Sequence, residues 1–330
     1  MTRAVSATPV PAQASPPTPA VPARPTRGEL VAELAEVVGA PHEARFIVDE
    51  VLGLGLVLGQ PNPPTGPLDE AATAAARAMA DRRAAGEPLQ YIFGHWPFRR
   101  LDLRVDERVL IPRPETEQVV EVALTEARRL AADRPRGEGL VIVDAGTGSG
   151  AIALALATEL GPGVVAEVWA TEASADALEV ATANVDARRT ATAGAPGADI
   201  DQMAPLRLVE GSWLEPLPEG VRGRVGLVVS NPPYVSEAEW PRLAAEVRRE
   251  PRQALVAGEA SDGTAGLADV EAVLRQSLDW LGRPGAVVIE LAPHQADAAL
   301  ALADGLGYDE TRVELDLTRR PRALVARTSE

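Results

Sequence analysis

Five apolar residues in a row, Val225-Gly226-Leu227-Val228-Val229, run through Ser230 straight into Asn231-Pro232-Pro233-Tyr234. A short uninterrupted apolar run closed by an Asn-Pro turn predicts a strand buried on both faces, as in a parallel sheet covered by helices. Open α/β sheets bind ligands outside the carboxyl ends of such strands, so the residues after this one are candidate site residues. Asn231 brings a side-chain carbonyl acceptor, and Pro232, lacking an N–H, leaves backbone carbonyls free. Together they can hold a planar NH₂ group by both hydrogens while the face of Tyr234 covers it. An Asn-Pro pair alone would be an ordinary turn with a core Tyr. Four such residues after a buried strand, in a chain that also carries a glycine loop, point to a site.

That loop lies upstream. The run Leu140-Val141-Ile142-Val143 leads into Asp144-Ala145-Gly146-Thr147-Gly148-Ser149-Gly150 and a helix over Ala151 to Leu160. Glycines let the chain turn sharply and bring backbone N–H groups near a ligand at a helix start. The spacing is neither the GxGxxG of dinucleotide binders nor the Gly-Lys-Ser/Thr of nucleotide-triphosphate loops. A second strand, Val168-Trp169-Ala170-Thr171-Glu172, ends in a carboxylate about 20 residues past the loop, where a ribose diol would be held. These parts describe a pocket for a nucleoside without a pyrophosphate, and S-adenosylmethionine fits it. Asp144 stands either to meet the cationic amino-acid end of that ligand or to cap the helix. A third strand, Leu206 to Val209, leads to Trp213, which either lies against the adenine or packs in the core. Further strands are expected at Ala286–Glu290, Arg312–Leu317 and Ala323–Ala326, giving a doubly wound α/β sheet from about Glu115 onward.

With 330 residues the chain can bury a substantial core and divide into two domains. Residues 1–25, rich in Ala, Pro, Ser and Thr, are expected to be a disordered tail, with no signal-peptide apolar stretch. Thr26 and Glu29 are spaced as a capping box. Leu30, Leu34, Val37 and Val38, then Ala44, Ile47, Val48, Val51 and Leu52, recur at helical spacing, and an Ala-rich helix follows over Asp69–Ala85. These make a helical substrate-docking domain over 26–86. Alternation at Leu101, Leu103 and Val105 predicts a hairpin within a connector over 87–114, which either sets geometry or closes over a ligand. The α/β domain with the S-adenosylmethionine pocket would span 115–330, with Arg188–Pro205 as a loose excursion.

The formal net charge is −16 and every basic residue is Arg. Such a surface repels phosphate backbones, so a protein or small molecule is the expected partner rather than nucleic acid, and no span is apolar enough for a membrane. The absence of Cys suits a reducing, cytoplasmic setting. His42, His95 and His294 show no ligand spacing, so no metal is expected.

The chain resembles the protein-(glutamine-N5) methyltransferase family that modifies peptide-chain release factors, known as HemK or PrmC. The resemblance covers nearly everything after the tail. It rests on Gly86-Glu-Pro-Leu-Gln-Tyr-Ile-Phe-Gly94, Leu110-Ile-Pro-Arg-Pro-Glu-Thr-Glu117, Asp144 to Gly150, Ser230-Asn-Pro-Pro-Tyr-Val235 and Glu250-Pro-Arg-Gln-Ala-Leu255. NPPY by itself is shared with nucleic-acid amino methyltransferases; the Ile-Pro-Arg-Pro-Glu-Thr-Glu segment is more particular. The resemblance implies a Rossmann-like methyltransferase sheet in which Gly146, Thr147, Gly148, Ser149 and Gly150 contact S-adenosyl-L-methionine. It implies that Glu172 takes the ribose, that Trp213 borders the adenine, and that Asn231, Pro232, Pro233 and Tyr234 hold the substrate glutamine, Asn231 lying beside the cofactor too. That glutamine belongs to the Gly-Gly-Gln motif of class 1 release factors, and S-adenosyl-L-homocysteine is the other product. Two departures stand out: Glu172 where the family has Asp, and Ala257 to Gly263, longer than the family's Gly-Gly-x-Asp-Gly.

Overall fold

The computed structural model describes residues 24–55, 64–135, 138–161, 164–193 and 203–329. The expected disordered tail lies outside them up to residue 23, as does part of the connection before residue 64. The chain divides into two compact units, Met1–Asp81 and Arg82–Glu330.

In the first unit, α1 (Arg27–Val38) starts at a capping box: the Thr26 hydroxyl accepts from the Glu29 N–H, and the Glu29 carboxylate accepts from the Thr26 N–H at 2.8 Å. Gly39 ends the helix at φ +73°, a left-handed conformation that costs glycine little. Pro41 opens α2 (Pro41–Val51), where its missing N–H loses no helix bond. Leu30, Leu34, Ala44, Ile47 and Val48 are buried, and Arg27 pairs with Asp49 at 2.6 Å. Val37, placed on the apolar stripe by its spacing, is 44 % exposed instead. The Ala-rich α3 covers Glu70–Ala84.

The second unit begins with a short helix, α4 (Leu89–Phe93), and a hairpin of β1 (His95–Phe98) and β2 (Leu101–Arg104). Helix α5 (Pro114–Ala132) follows, then β3 (Leu140–Ala145), α6 (Ala151–Glu159), β4 (Ala166–Glu172), α7 (Ala175–Ala193), β5 (Leu206–Glu210) and β6 (Val225–Ser230). Helix α8 (Ala268–Trp280), β7 (Leu281–Glu290), α9 (Ala296–Leu306), β8 (Glu310–Leu315) and β9 (Pro321–Thr328) complete it. Among the described residues the sheet has seven strands in the order β5-β4-β3-β6-β7-β9-β8. The first five are parallel, and β9 is antiparallel to both its neighbours. The expected doubly wound α/β fold is therefore present.

Strands β3 and β6 are buried at every position because both faces are covered. Leu140 and Ile142 point to a core shared with α5, α6 and the hairpin; Val141 and Val143 point to one shared with α8 and α9. The hairpin is fastened to this second unit. Phe98, Leu101 and Leu103 enter the first core, and Asn184 on α7 accepts from the Arg104 N–H at 2.7 Å and donates to its carbonyl at 3.0 Å. Helix α7 continues to Ala193, into the stretch expected to be loose, since its Ala and Arg residues are good helix formers; residues 194–202 lie outside the described set. Among the described residues no helix is long and apolar enough to cross a membrane.

Far from the cavity described below, Glu126 on α5 is 1 % exposed and meets Arg129, Arg312 and Arg327 at 3.0, 2.8 and 2.6 Å. Burial alone would raise its pKa, but the three guanidiniums outweigh it and hold the carboxyl at about 2. Glu126→Ala removes the buried anion the three guanidiniums share, leaving Arg312 and Arg327 only Glu310 and Glu314 at the surface, so urea denaturation is expected to show a loss of about 3 kcal/mol.

Candidate functional site

A cavity of about 560 Å³ opens at the carboxyl ends of β3, β4 and β6, within the usual range for a small-molecule site. It lies where strand order reverses, with β4 and β5 laid out on one side of β3 and β6 and β7 on the other. Gly146, Thr147, Gly148 and Ser149 of the glycine loop line it with Glu172, Trp213, Asn231 and Pro233, whereas Gly150, Pro232 and Tyr234 are not among the lining residues.

Gly146, Gly148 and Gly150 have φ of +76°, +56° and +84°, so each needs the freedom of glycine. The Trp213 ring lies on Gly146: a Cβ there would stand 3.0 Å from Cζ3. Gly146 and Thr147 donate their N–H groups to the Thr171 carbonyl, and Gly150 donates to Thr147. The Gly148 N–H goes to Glu172 Oε2 at 2.8 Å, while Glu172 Oε1 accepts from the Ser174 N–H at 2.9 Å. A loop whose N–H groups are used internally is no phosphate cradle, in keeping with the missing dinucleotide spacing. The longer side chain of Glu172 thus reaches back to the loop, and each carboxylate oxygen keeps a lone pair for a further donor. Trp213, at φ +48°, both packs against the α8–α9 core and lines the cavity.

Of the two roles expected for Asp144 the structure shows the capping one, made by Oδ2, while Oδ1 is buried without a partner. Asp144 is fully buried, and its Oδ2 accepts from the Thr147 hydroxyl at 2.6 Å and from the Ala153 N–H at 2.9 Å. Ala153 is in the first turn of α6, whose own N-terminal flank, Gly150, has no capping side chain. Asp144 therefore caps α6 from the preceding strand.

Asn231 follows β6 directly. Its Nδ2 donates to the Thr116 hydroxyl at 3.3 Å, and that hydroxyl donates to Glu290 Oε2 at 2.7 Å. Asn231 Oδ1 is buried with no partner, and among the described residues nothing donates to the Pro232 carbonyl. An unpaired buried acceptor costs about 1–3 kcal/mol, which an incoming N–H would recover. Tyr234 is half-buried; burial first, then the neighbouring Glu290 charge, pushes its hydroxyl up to about 12, so it stays neutral. Its backbone N–H donates to Leu255 and its carbonyl accepts from Gln295 Nε2 at 3.0 Å.

Sequence reasoning did not single out Thr116, Glu250 or Glu290 for the site. Glu250, 4 % exposed, accepts from the Ile111 N–H at 3.0 Å and pairs with Arg113. Val235 then bridges to Val256, so the Ile-Pro-Arg-Pro segment, the Glu-Pro-Arg-Gln segment and the NPPY loop form one wall. Their shared signal was a set of short Pro-rich motifs, each legible alone. The lengthened Ala257–Gly263 stretch makes a small turn of its own, with Glu259 bridged to Ala265 and Ser261 held by Glu271. Among the described residues no cluster of His, Cys, Asp and Glu could hold a metal.

Strand order, switch-point cavity and glycine loop define a methyltransferase of the Rossmann-like α/β class. Residues 28–94 match a family model described as the PrmC N-terminal domain. The chain is 39 % identical over 305 residues to release factor glutamine methyltransferase of Moorella thermoacetica, spanning 91 % of this chain and 96 % of that one. To the protein of the same name from Burkholderia pseudomallei it is 38 % identical over 258 residues, 78 % of this chain and 81 % of the relative. The chain belongs to the release factor glutamine methyltransferase family. Among solved structures, a methyltransferase from Pyrococcus furiosus is 18 % identical with a TM-score of 0.44, over 70 % of this chain and 90 % of that one.

Burial pushes Asp144 up to about 7, against the pull of its bonds from Thr147 and Ala153. Between its ordinary range and that value the folded protein holds a proton the unfolded chain has lost. Its contribution to stability is therefore complete in acid and falls as pH rises through the window. Urea denaturation across pH 4–8 is expected to show wild type losing ground to Asp144→Asn, by at most about 1.4 kcal/mol per pH unit.

Proposed function

We propose that the chain transfers the methyl group of S-adenosyl-L-methionine to the side-chain amide nitrogen, N5, of the glutamine in the Gly-Gly-Gln motif of class 1 peptide-chain release factors. Family membership supports the reaction class, and the residues of the cavity fit the cofactor. Gly148, with nothing within 4 Å of where a Cβ would stand, leaves room for a ligand to lie close to the backbone, Glu172 offers lone pairs to a ribose diol, and Trp213 offers an apolar face to the adenine. When bound, the cofactor supplies a methyl group on a positively charged sulfur.

The observation that carries the reading is the unpartnered, buried Oδ1 of Asn231. An amide nitrogen is a poor nucleophile because its lone pair is delocalised into the carbonyl. Asn231 Oδ1 and the Pro232 carbonyl accept its two hydrogens, which favours a pyramidal nitrogen and frees the lone pair. Pro233, which lines the cavity, walls the carboxamide in and excludes water. Positioning and desolvation supply most of the rate. No general base is required, since the alkylated amide nitrogen becomes acidic enough to lose its proton to water. The helical unit is assigned to docking the release factor, and the activity to the cytoplasm.

Methyl transfer from labelled cofactor to purified release factor tests this directly, with a substrate glutamine→Ala control and DNA and RNA as alternative acceptors. Label is expected on the release factor alone and is lost with the glutamine. Label on nucleic acid would overturn the reading. Asn231→Ala is expected to lower turnover by more than about 100-fold, the scale of one positioned polar contact.

A further inference from the structure

A carboxamide is nearly symmetric in shape, so nothing in its outline decides whether Asn231 presents its oxygen or its NH₂ to the cavity. The decision falls to its neighbours. Thr116, 4 % exposed, sits in the first turn of α5, and Glu290, 1 % exposed, is the last residue of β7, beside the end of β6. A carboxylate can only accept, so the single proton of the Thr116 hydroxyl is committed to Glu290 over 2.7 Å. The hydroxyl then has only lone pairs left for Asn231. It receives Nδ2 at 3.3 Å, and Oδ1 is left on the other side without a partner.

We propose that Glu290, acting through Thr116, is a positioning residue that holds the Asn231 carboxamide oxygen-out, as the acceptor for the substrate amide. This rests on the proposed glutamine methylation and adds to it the residues that set the polarity of the clamp. Both contacts are long-range: Thr116 lies 115 residues from Asn231 and 174 from Glu290. The direction of the relay depends on charge. A protonated Glu290 can donate to Thr116, whose hydroxyl proton is then free to meet Asn231 Oδ1, and the amide can turn over. The charged groups facing Glu290 are Arg113 and Glu115 at the start of α5 and Arg322 on β9, with Tyr234 the other titratable neighbour. Burial outweighs the Thr116 hydrogen bond and the two guanidiniums and brings the carboxyl to about 7. The relay therefore switches near neutrality.

The test compares Thr116→Val, Thr116→Ser and Glu290→Gln in the full chain. Thr116→Val keeps the shape and removes the relay; kcat is expected to fall at least about tenfold, with the dissociation constant for S-adenosylhomocysteine unchanged by calorimetry. Thr116→Ser restores kcat to within about threefold, because the hydroxyl returns. Wild-type kcat rises with pH through about 7, while Glu290→Gln, whose amide can face either way, is slow and flat across that range. A second readout needs no turnover. The chain has three asparagines, Asn62, Asn184 and Asn231, so asparagine-selective ¹⁵N labelling gives three side-chain NH₂ pairs, and Asn231→Asp identifies the one that matters. That pair is expected to titrate near pH 7 in wild type and Thr116→Ser and to stay fixed in Thr116→Val and Glu290→Gln. An Asn231 signal indifferent to pH and to both substitutions, or wild-type kcat in Thr116→Val, overturns the relay. If wild type methylates no glutamine while the signal titrates as described, the functional reading fails and the relay stands.

Discussion

The reversal of strand order between β3 and β6 is the constraint from which the site follows. Connections from β3 run to one side and those from β6 to the other, so their loops diverge at the carboxyl edge and leave a crevice that no helix fills. Parallel strands require crossovers, and crossovers cover both faces, which is why β3 and β6 are buried throughout. The polar residues at their ends, Asp144, Ser230 and Asn231, are consequently placed where the core meets the crevice. Ser230 donates to the Ala145 carbonyl at 2.7 Å and ties the two strand ends together just below the cavity.

Polar groups held out of water in this way must find partners or stay costly. Asp144 finds Thr147 and Ala153 and becomes a helix cap. Glu172 finds two backbone N–H groups. Glu290 finds Thr116. Asn231 finds a partner for its nitrogen and none for its oxygen. Asp144 Oδ1 and Thr171 Oγ1 are also buried without a partner, but of the three residues only Asn231 lines the cavity, so its oxygen is the vacancy in the hydrogen bonding that an amide or amine donor can fill.

Much of this was legible in the sequence, because it depends on residues close together along the chain. The apolar run at 225–229, the three glycines of the loop and the Thr26–Glu29 box each encode local geometry, and each element formed where its pattern placed it. Strand ends were less legible: β7 starts at Leu281 and β9 runs to Thr328, beyond their apolar centres, since pairing with neighbours extends a strand past the residues it buries. The relay behind Asn231 was hidden for a stronger reason. Thr116 reads as a polar residue in a helix's first turn and Glu290 as a strand-end charge, and only the tertiary fold brings them together. The capping role of Asp144 likewise needed the distance to Ala153 to be seen.

All else depends on the Asn231 side-chain oxygen, beyond β6, receiving the substrate's NH₂. A crystal structure with S-adenosylhomocysteine and a glutamine-bearing release-factor peptide tests it most directly. The glutamine side-chain nitrogen is expected about 3 Å from Asn231 Oδ1, with Nδ2 still turned to Thr116. A glutamine bound elsewhere, or facing the NH₂ of Asn231 with its own oxygen, contradicts it.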